Sequence, residues 1–163
     1  MTPSYVGAPR SALGPAHPLT LRARAGLLEM LPAADVVTEE GGALLALPSE
    51  CERFLGADHT VTLGARHNHA WALYLLGRFE EADRGIRQVA EAYVRRFGPE
   101  YPVVLAARQL LSRTRAALGH LEEGIAVMTD VVERRERGLG PEHPFTVASR
   151  HLLDAYRAGR SRP

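Results

Sequence analysis

The chain has 163 residues, 45% of them hydrophobic and 24% charged, a balance that fits a soluble globular protein with one core and excludes a disordered chain. A formal net charge of +1 gives no global electrostatic case for nucleic acid or an anionic membrane, and no apolar run is long enough to span a bilayer. Cys51 stands alone, which excludes an intrachain disulfide and a zinc–thiolate cluster; with no signal-peptide pattern in the first thirty residues, the expected compartment is the cytoplasm.

Residues 1–12 are rich in Pro, Gly and Ser and carry no periodicity, so a disordered lead-in is expected there. From Leu13 onward the chain repeats itself. Gly14, Gly56, Gly98 and Gly140 are each 42 residues apart, and LGPAHPLTLRAR, LGADHTVTLGAR, FGPEYPVVLAAR and LGPEHPFTVASR align without gaps. A fixed period of this size signals a repeat architecture. Each corner has a physical purpose. Glycine supplies the left-handed conformation that ends one helix, and Pro18, Pro102 and Pro144 suit the first turn of the next. Asp58, Glu100 and Glu142 lie near that helix start, where its dipole favours negative charge.

Two helices are expected per unit. Helix A spans about 61–76 and 103–118, ending at Gly77 and Gly119. Helix B runs from about Phe79 to Phe97, with Ala82, Ile86, Val89 and Tyr93 forming a stripe at steps of three and four; Leu121, Ile125, Met128 and Val132 are its counterpart. Glu80 with Arg84, Glu91 with Arg95, and Glu133 with Arg137 are spaced for i,i+4 pairs, each contributing about 0.2–0.5 kcal/mol. The arginines at the ends of both B helices, Arg95-Arg96 and Arg134-Arg135-Arg137, alternate with glutamates and read as a solvated face.

Residues 13–54 keep the period but depart from the pattern. Pro32, Gly41-Gly42 and Pro48 fall where helices should run, so a broken or kinked second helix is expected in a degenerate capping repeat. The intact repeats are 55–96 and 97–138. Residues 139–158 supply a closing helix with no partner, and 159–163 are a tail expected to fray.

The turns at Gly77–Ala82 (GRFEEA) and Gly119–Gly124 (GHLEEG) resemble the mid-repeat turn of tetratricopeptide repeats. With the GPEHPFT linker and the 42-residue period, the chain is similar to the longer kinesin-light-chain type found in actinobacteria, over residues 13–158. HEAT and armadillo units share the period but not that turn. The resemblance implies an all-α fold, a short right-handed superhelix of antiparallel helix pairs with helix A lining a concave groove. It also implies an adaptor or regulatory role without catalysis. Kinesin-light-chain repeats carry an Asn-Asn pair on helix A for peptide binding; here those positions hold His67-Asn68, Gln109-Leu110 and His151-Leu152, and the Asn survives only at Asn68.

On helix A of the central unit, His67, Asn68, Trp71 and Tyr74 share one stripe, which the family register turns toward the groove. Gln109, Arg113 and His151 continue that wall. Trp71 reads equally as a binding anchor or as packing between helices. Arg24, Arg66, Arg108 and Arg150 recur at one position in every unit, which favours a structural role over an anion-binding stripe. His17, His59 and His143 recur with the linker, and His67 with His69 lie on nearly opposite faces, so no metal site is expected. No cofactor motif is present.

Three functions remain in play. The first is a module binding a protein or peptide through the groove. The second is a small-molecule binder or biosynthetic enzyme using the same groove, with His67, His151 and Tyr74 as proton carriers. The third is a homo-oligomeric scaffold.

Overall fold

The computed structural model describes residues 13–30 and 45–160. The lead-in at 1–12, the stretch with Pro32 and Gly41-Gly42, and the end of the tail at 161–163 lie outside the described residues. Every described element is a helix: α1 (Pro18–Met30), α2 (Leu47–Leu55), α3 (Thr60–Leu75), α4 (Phe79–Phe97), α5 (Pro102–Ala117), α6 (Leu121–Leu139) and α7 (Pro144–Arg160). The expected all-α class holds. Two compact units divide the chain, Met1–Asn68 and His69–Pro163, with the boundary inside α3.

The repeated corners work through two local devices. Gly56, Gly98 and Gly140 have φ of 89°, 82° and 90° with ψ of 160°, 161° and 159°. This is not the left-handed helical well expected from the sequence but an extended positive-φ region that glycine alone enters freely. The second device is a histidine cap. Nδ1 of His17, His59 and His143 accepts the backbone N–H of Leu19, Val61 and Phe145 respectively, at 3.2 Å in each case. Each bond satisfies one of the donors that a helix start leaves without an internal partner. In the remaining copy, Tyr101 supplies no cap and instead stacks on Phe97, centroids 4.8 Å apart.

Proline sits where a helix tolerates it. α1, α5 and α7 begin at Pro18, Pro102 and Pro144. Pro48, expected inside a helix, is instead in the first turn of α2, where its missing N–H costs nothing.

In the first unit Leu21 and Ala25 of α1 pack with Leu47 and Cys51 of α2 and Ala65 of α3, all five buried. In the second, α4 packs on α5, α5 on α6 and α6 on α7. The short turns and the pairing of helix starts with helix ends, Asp83 and Glu123 both with Arg115, make α4, α5 and α6 successively antiparallel. Leu105, Ile125, Met128, Val131, Val132 and Leu153 form an apolar cluster in it, each large side chain contributing about 1.5–3 kcal/mol by leaving water.

None of the three expected same-helix ion pairs forms among the described residues. The i,i+4 pairs are Asp83–Arg87 at 2.6 Å and Asp130–Arg134 at 2.7 Å. Both keep the favourable order, acid first, but use carboxylates that are less exposed than Glu80, Glu91 or Glu133, where water competes less for the charge. Asp83 is buried, and Arg115 of α5 reaches it at 2.7 Å through Nε while the Thr114 hydroxyl donates at 3.3 Å. Arg115 also holds Glu123 of α6 at 2.8 Å. A buried carboxylate is tolerable there because two guanidiniums face it; removing one member of such a group costs about 3–5 kcal/mol.

Candidate functional site

Of the seven residues expected to line a groove, His67 and Asn68 belong to the first unit. The Asn68 side-chain amide donates to the Ala25 carbonyl of α1 at 2.8 Å, so it ties two helices of that unit together. His67 is half-buried in area, yet its imidazole lies deep enough that burial pushes its pKa down to about 4. It is therefore neutral at physiological pH. A histidine so shifted is a poor proton carrier near neutrality, which weighs against the acid–base alternative.

Trp71, Tyr74, Gln109, Arg113 and His151 belong to the second unit. Trp71 and Tyr74, one helical turn apart, are stacked with centroids 5.6 Å apart and planes 19° from parallel. The Tyr74 ring in turn meets Phe79 across the Gly77 turn at 5.5 Å. Trp71 and Tyr74 are both half-buried, between the anchor and the core readings of the sequence. One repeat later, the position of Trp71 is held by Arg113 of α5. Arg113 is half-buried too, and among the described residues it has no carboxylate partner. Its charge acts on the phenol of Tyr156, which burial drives up in pKa while Ser112 and Arg113 pull it down. Tyr74 also feels Tyr156, so this phenol links the aromatic step of α3 to Arg113.

Gln109 is drawn into a different group. Its side-chain oxygen accepts from Arg135 of α6 at 2.5 Å and faces the Ser149 hydroxyl of α7 at 3.4 Å. His151 is exposed on α7. The second unit thus stacks Trp71 on Tyr74, sets Tyr156 within the electrostatic reach of both Tyr74 and Arg113, and turns Gln109 toward Arg135.

Each recurring arginine pairs with a carboxylate of an adjacent helix: Arg24 with Glu50 at 2.8 Å, Arg66 with Glu52 at 2.8 Å, Arg108 with Asp130, and Arg150 with Glu136 at 2.7 Å. Arg66 and Arg150 reach back fourteen positions to a glutamate. At that offset Arg108 would meet Val94, and it turns forward to α6 instead. The structural reading of this series holds. The solvated reading of the α6 basic end does not hold for Arg135, which is only 7% exposed. Its aliphatic stem and guanidinium pack inward, between α5 and α7. Arg135, Ser149 and Tyr156 are absent from the sequence-derived set. The repeat itself held the signal for two of them: Arg135 stands where other units have Cys51 and Tyr93, and Ser149 where they have Ala65 and Ala107.

Among the described residues no group of three or more His, Cys, Asp or Glu could hold a metal ion. No described helix is long and apolar enough to cross a membrane.

A family model described as tetratricopeptide repeat matches residues 62–101 and 104–145, half of the chain. A kinesin-light-chain-type protein of nearly identical TPR-like repeats from Podosopora anserina is similar in structure, with a TM-score of 0.77 and 27% identity, over 86% of this chain and 66% of that one. A single-substitution variant of it matches with a TM-score of 0.76 and the same identity and coverage. The chain therefore spans just under two thirds of the length of these solved relatives. No curated protein matches it.

Proposed function

Because the chain belongs to the tetratricopeptide repeat family, we propose that it acts as a protein-interaction module, working by contact rather than catalysis in an adaptor or regulatory role. Its repeats are read as the 42-residue kinesin-light-chain type found in actinobacteria: a degenerate unit at 13–54, full units at 55–96 and 97–138, and a closing helix at 139–158. The working place is the cytoplasm, and the partner is a protein or peptide rather than nucleic acid or membrane.

The contact set of the second unit is Trp71, Tyr74, Gln109, Arg113 and His151; His67 and Asn68 contribute on the first. What supports this most is the Trp71–Tyr74 step. Two large rings stack on each other and still keep part of their surface in solvent. Such amphipathic rings offer contact area at little conformational cost, which is why Trp and Tyr dominate binding hot spots.

Selection from a random peptide library tests the reading. The wild-type chain is expected to enrich a common motif with an apolar anchor, and Trp71→Ala is expected to weaken the enriched peptides at least about tenfold, the loss of a 1.4 kcal/mol contact. A library that yields no motif, or peptides bound equally well by a folded Trp71→Ala variant, overturns it.

A further inference from the structure

Arg135 occupies a position that the repeat otherwise fills with a neutral buried side chain. Cys51 and Tyr93, its equivalents on α2 and α4, are 0% and 5% exposed, and Arg135 is 7% exposed. Burying a guanidinium costs several kcal/mol of hydration, and this fold shows twice that it does not need one there. A second departure lies beside it. Ser149 replaces the buried alanines Ala65 and Ala107, and its hydroxyl meets the same guanidinium.

All the hydrogen bonds that Arg135 makes leave from one nitrogen. Nη1 donates to Gln109 Oε1 at 2.5 Å, to the Phe145 carbonyl at 3.2 Å and to Ser149 Oγ. Each acceptor is neutral. Nε and Nη2 bond to no described residue, and neither is sealed from solvent, since the only buried and unpartnered side-chain N or O atoms among the described residues are the hydroxyls of Thr62 and Thr146. Arg108, Arg115, Arg134 and Arg150 each have a carboxylate. Arg135 has none among the described residues, and neither has Arg113, one α5 turn beyond Gln109. Two cations without a carboxylate partner among the described residues thus lie on neighbouring helices, Arg113 one turn along α5 from the Gln109 that Arg135 bonds. One of them is clamped through Nη1, with the Nε–Nη2 edge left over. That edge is the planar fork that matches the two oxygens of a carboxylate or phosphate.

We infer that the notch formed by Arg135, Gln109 and Ser149, with Arg113 beside it, is a binding site for an oxyanion, a carboxylate or phosphate group. The group arrives either as a free ion or on an acidic side chain of a bound peptide. The peptide route rests on the docking reading above; the free-ion route does not.

The test follows the Arg135 Nε–H resonance in the ¹⁵N-labelled full chain, assigned by its absence in Arg135→Tyr, which restores the residue type that position 93 carries. One arm titrates inorganic phosphate against chloride at fixed ionic strength. The other titrates the blocked tetrapeptide Leu-Asp-Glu-Leu against Leu-Asn-Gln-Leu. A saturable shift with phosphate assigns a free ion; one with the acidic peptide alone assigns a side chain. In either case Arg113→Gln is expected to weaken the response several-fold. No saturable movement in either arm, or the same movement with chloride, overturns the site and leaves Arg135 as a clasp on α7. Both titrations are read on the wild-type chain; Arg135→Tyr serves only to assign the resonance, and Arg113→Gln is compared once its spectrum shows the wild-type fold. It also separates the two ideas: a responsive Arg135 in a chain whose selected peptides ignore Trp71→Ala keeps the notch and removes the aromatic step, and the reverse result removes the notch alone.

Discussion

His67 is neutral in the folded chain down to a pH at which an exposed histidine already carries its proton. The unfolded chain takes up that proton near pH 6.5 and the folded chain only near 4. Between those values the unfolded state binds more protons, so stability rises with pH across the window and falls as acid is added. The full effect, on the order of 3 kcal/mol, is reached below pH 4. Urea midpoints measured from pH 7 to 4 are expected to fall more steeply for wild type than for His67→Gln, whose neutral amide has no proton to gain. Parallel curves would show that His67 charges as easily folded as unfolded. The sequence marked His67 as a groove residue and could not foresee this, because a helix stripe gives direction but not depth. It likewise showed that His17, His59 and His143 recur without showing why. Histidine is not among the favoured capping residues, and only the bonds from Nδ1 to Leu19, Val61 and Phe145 reveal the cap.

At the scale of helices, periodicity made A and B legible almost to the residue, since a stripe at steps of three and four is a local property. Which side chains meet across a helix pair is not local. Glu80 with Arg84 satisfied the spacing rule, yet Asp83 became the hub of α4 because α5 brings Arg115 and Thr114 against it. The closeness of a crossing is equally hidden. A Cβ on Gly124 of α6 would lie 3.0 Å from the Ser112 carbonyl of α5 and 3.4 Å from the Ala116 nitrogen, both backbone atoms. A Cβ on Gly85 of α4 would meet only the Ala70 methyl, at an ordinary 3.7 Å. Alanine gains up to about 1 kcal/mol over glycine inside a helix, while overpacking costs about 1–3 kcal/mol. The two substitutions should therefore differ in sign. Gly85→Ala is expected to raise the urea midpoint and Gly124→Ala to lower it, α5 and α6 being forced apart. Stabilisation by both would mean that the crossing relaxes freely.

Over the whole molecule the 42-residue period lets the chain be compared with itself, and most of what can be read from it follows from that. Positions that agree in every unit proved structural, as the four paired arginines show, and positions that disagree separate function from repair. Arg135 among Cys51 and Tyr93 is a costly departure that points to a ligand. Position 62 and its equivalents give the opposite case. Thr62 and Thr146 are fully buried with hydroxyls that have no partner among the described residues, while Val104, at the same place in the unit between them, is buried just as completely and has the same shape. A buried hydroxyl without a bond costs about 1–3 kcal/mol relative to one that finds water or an acceptor. Valine removes that cost while filling nearly the same volume. Thr62→Val and Thr146→Val are each expected to stabilise the chain by about 1 kcal/mol or more, measured by urea denaturation. The two sites lie in different compact units, so in the double variant the gains should add. Loss of stability in either single variant would mean that the hydroxyl bonds a backbone carbonyl of its own helix, and that the valine between them is the departure from the repeat.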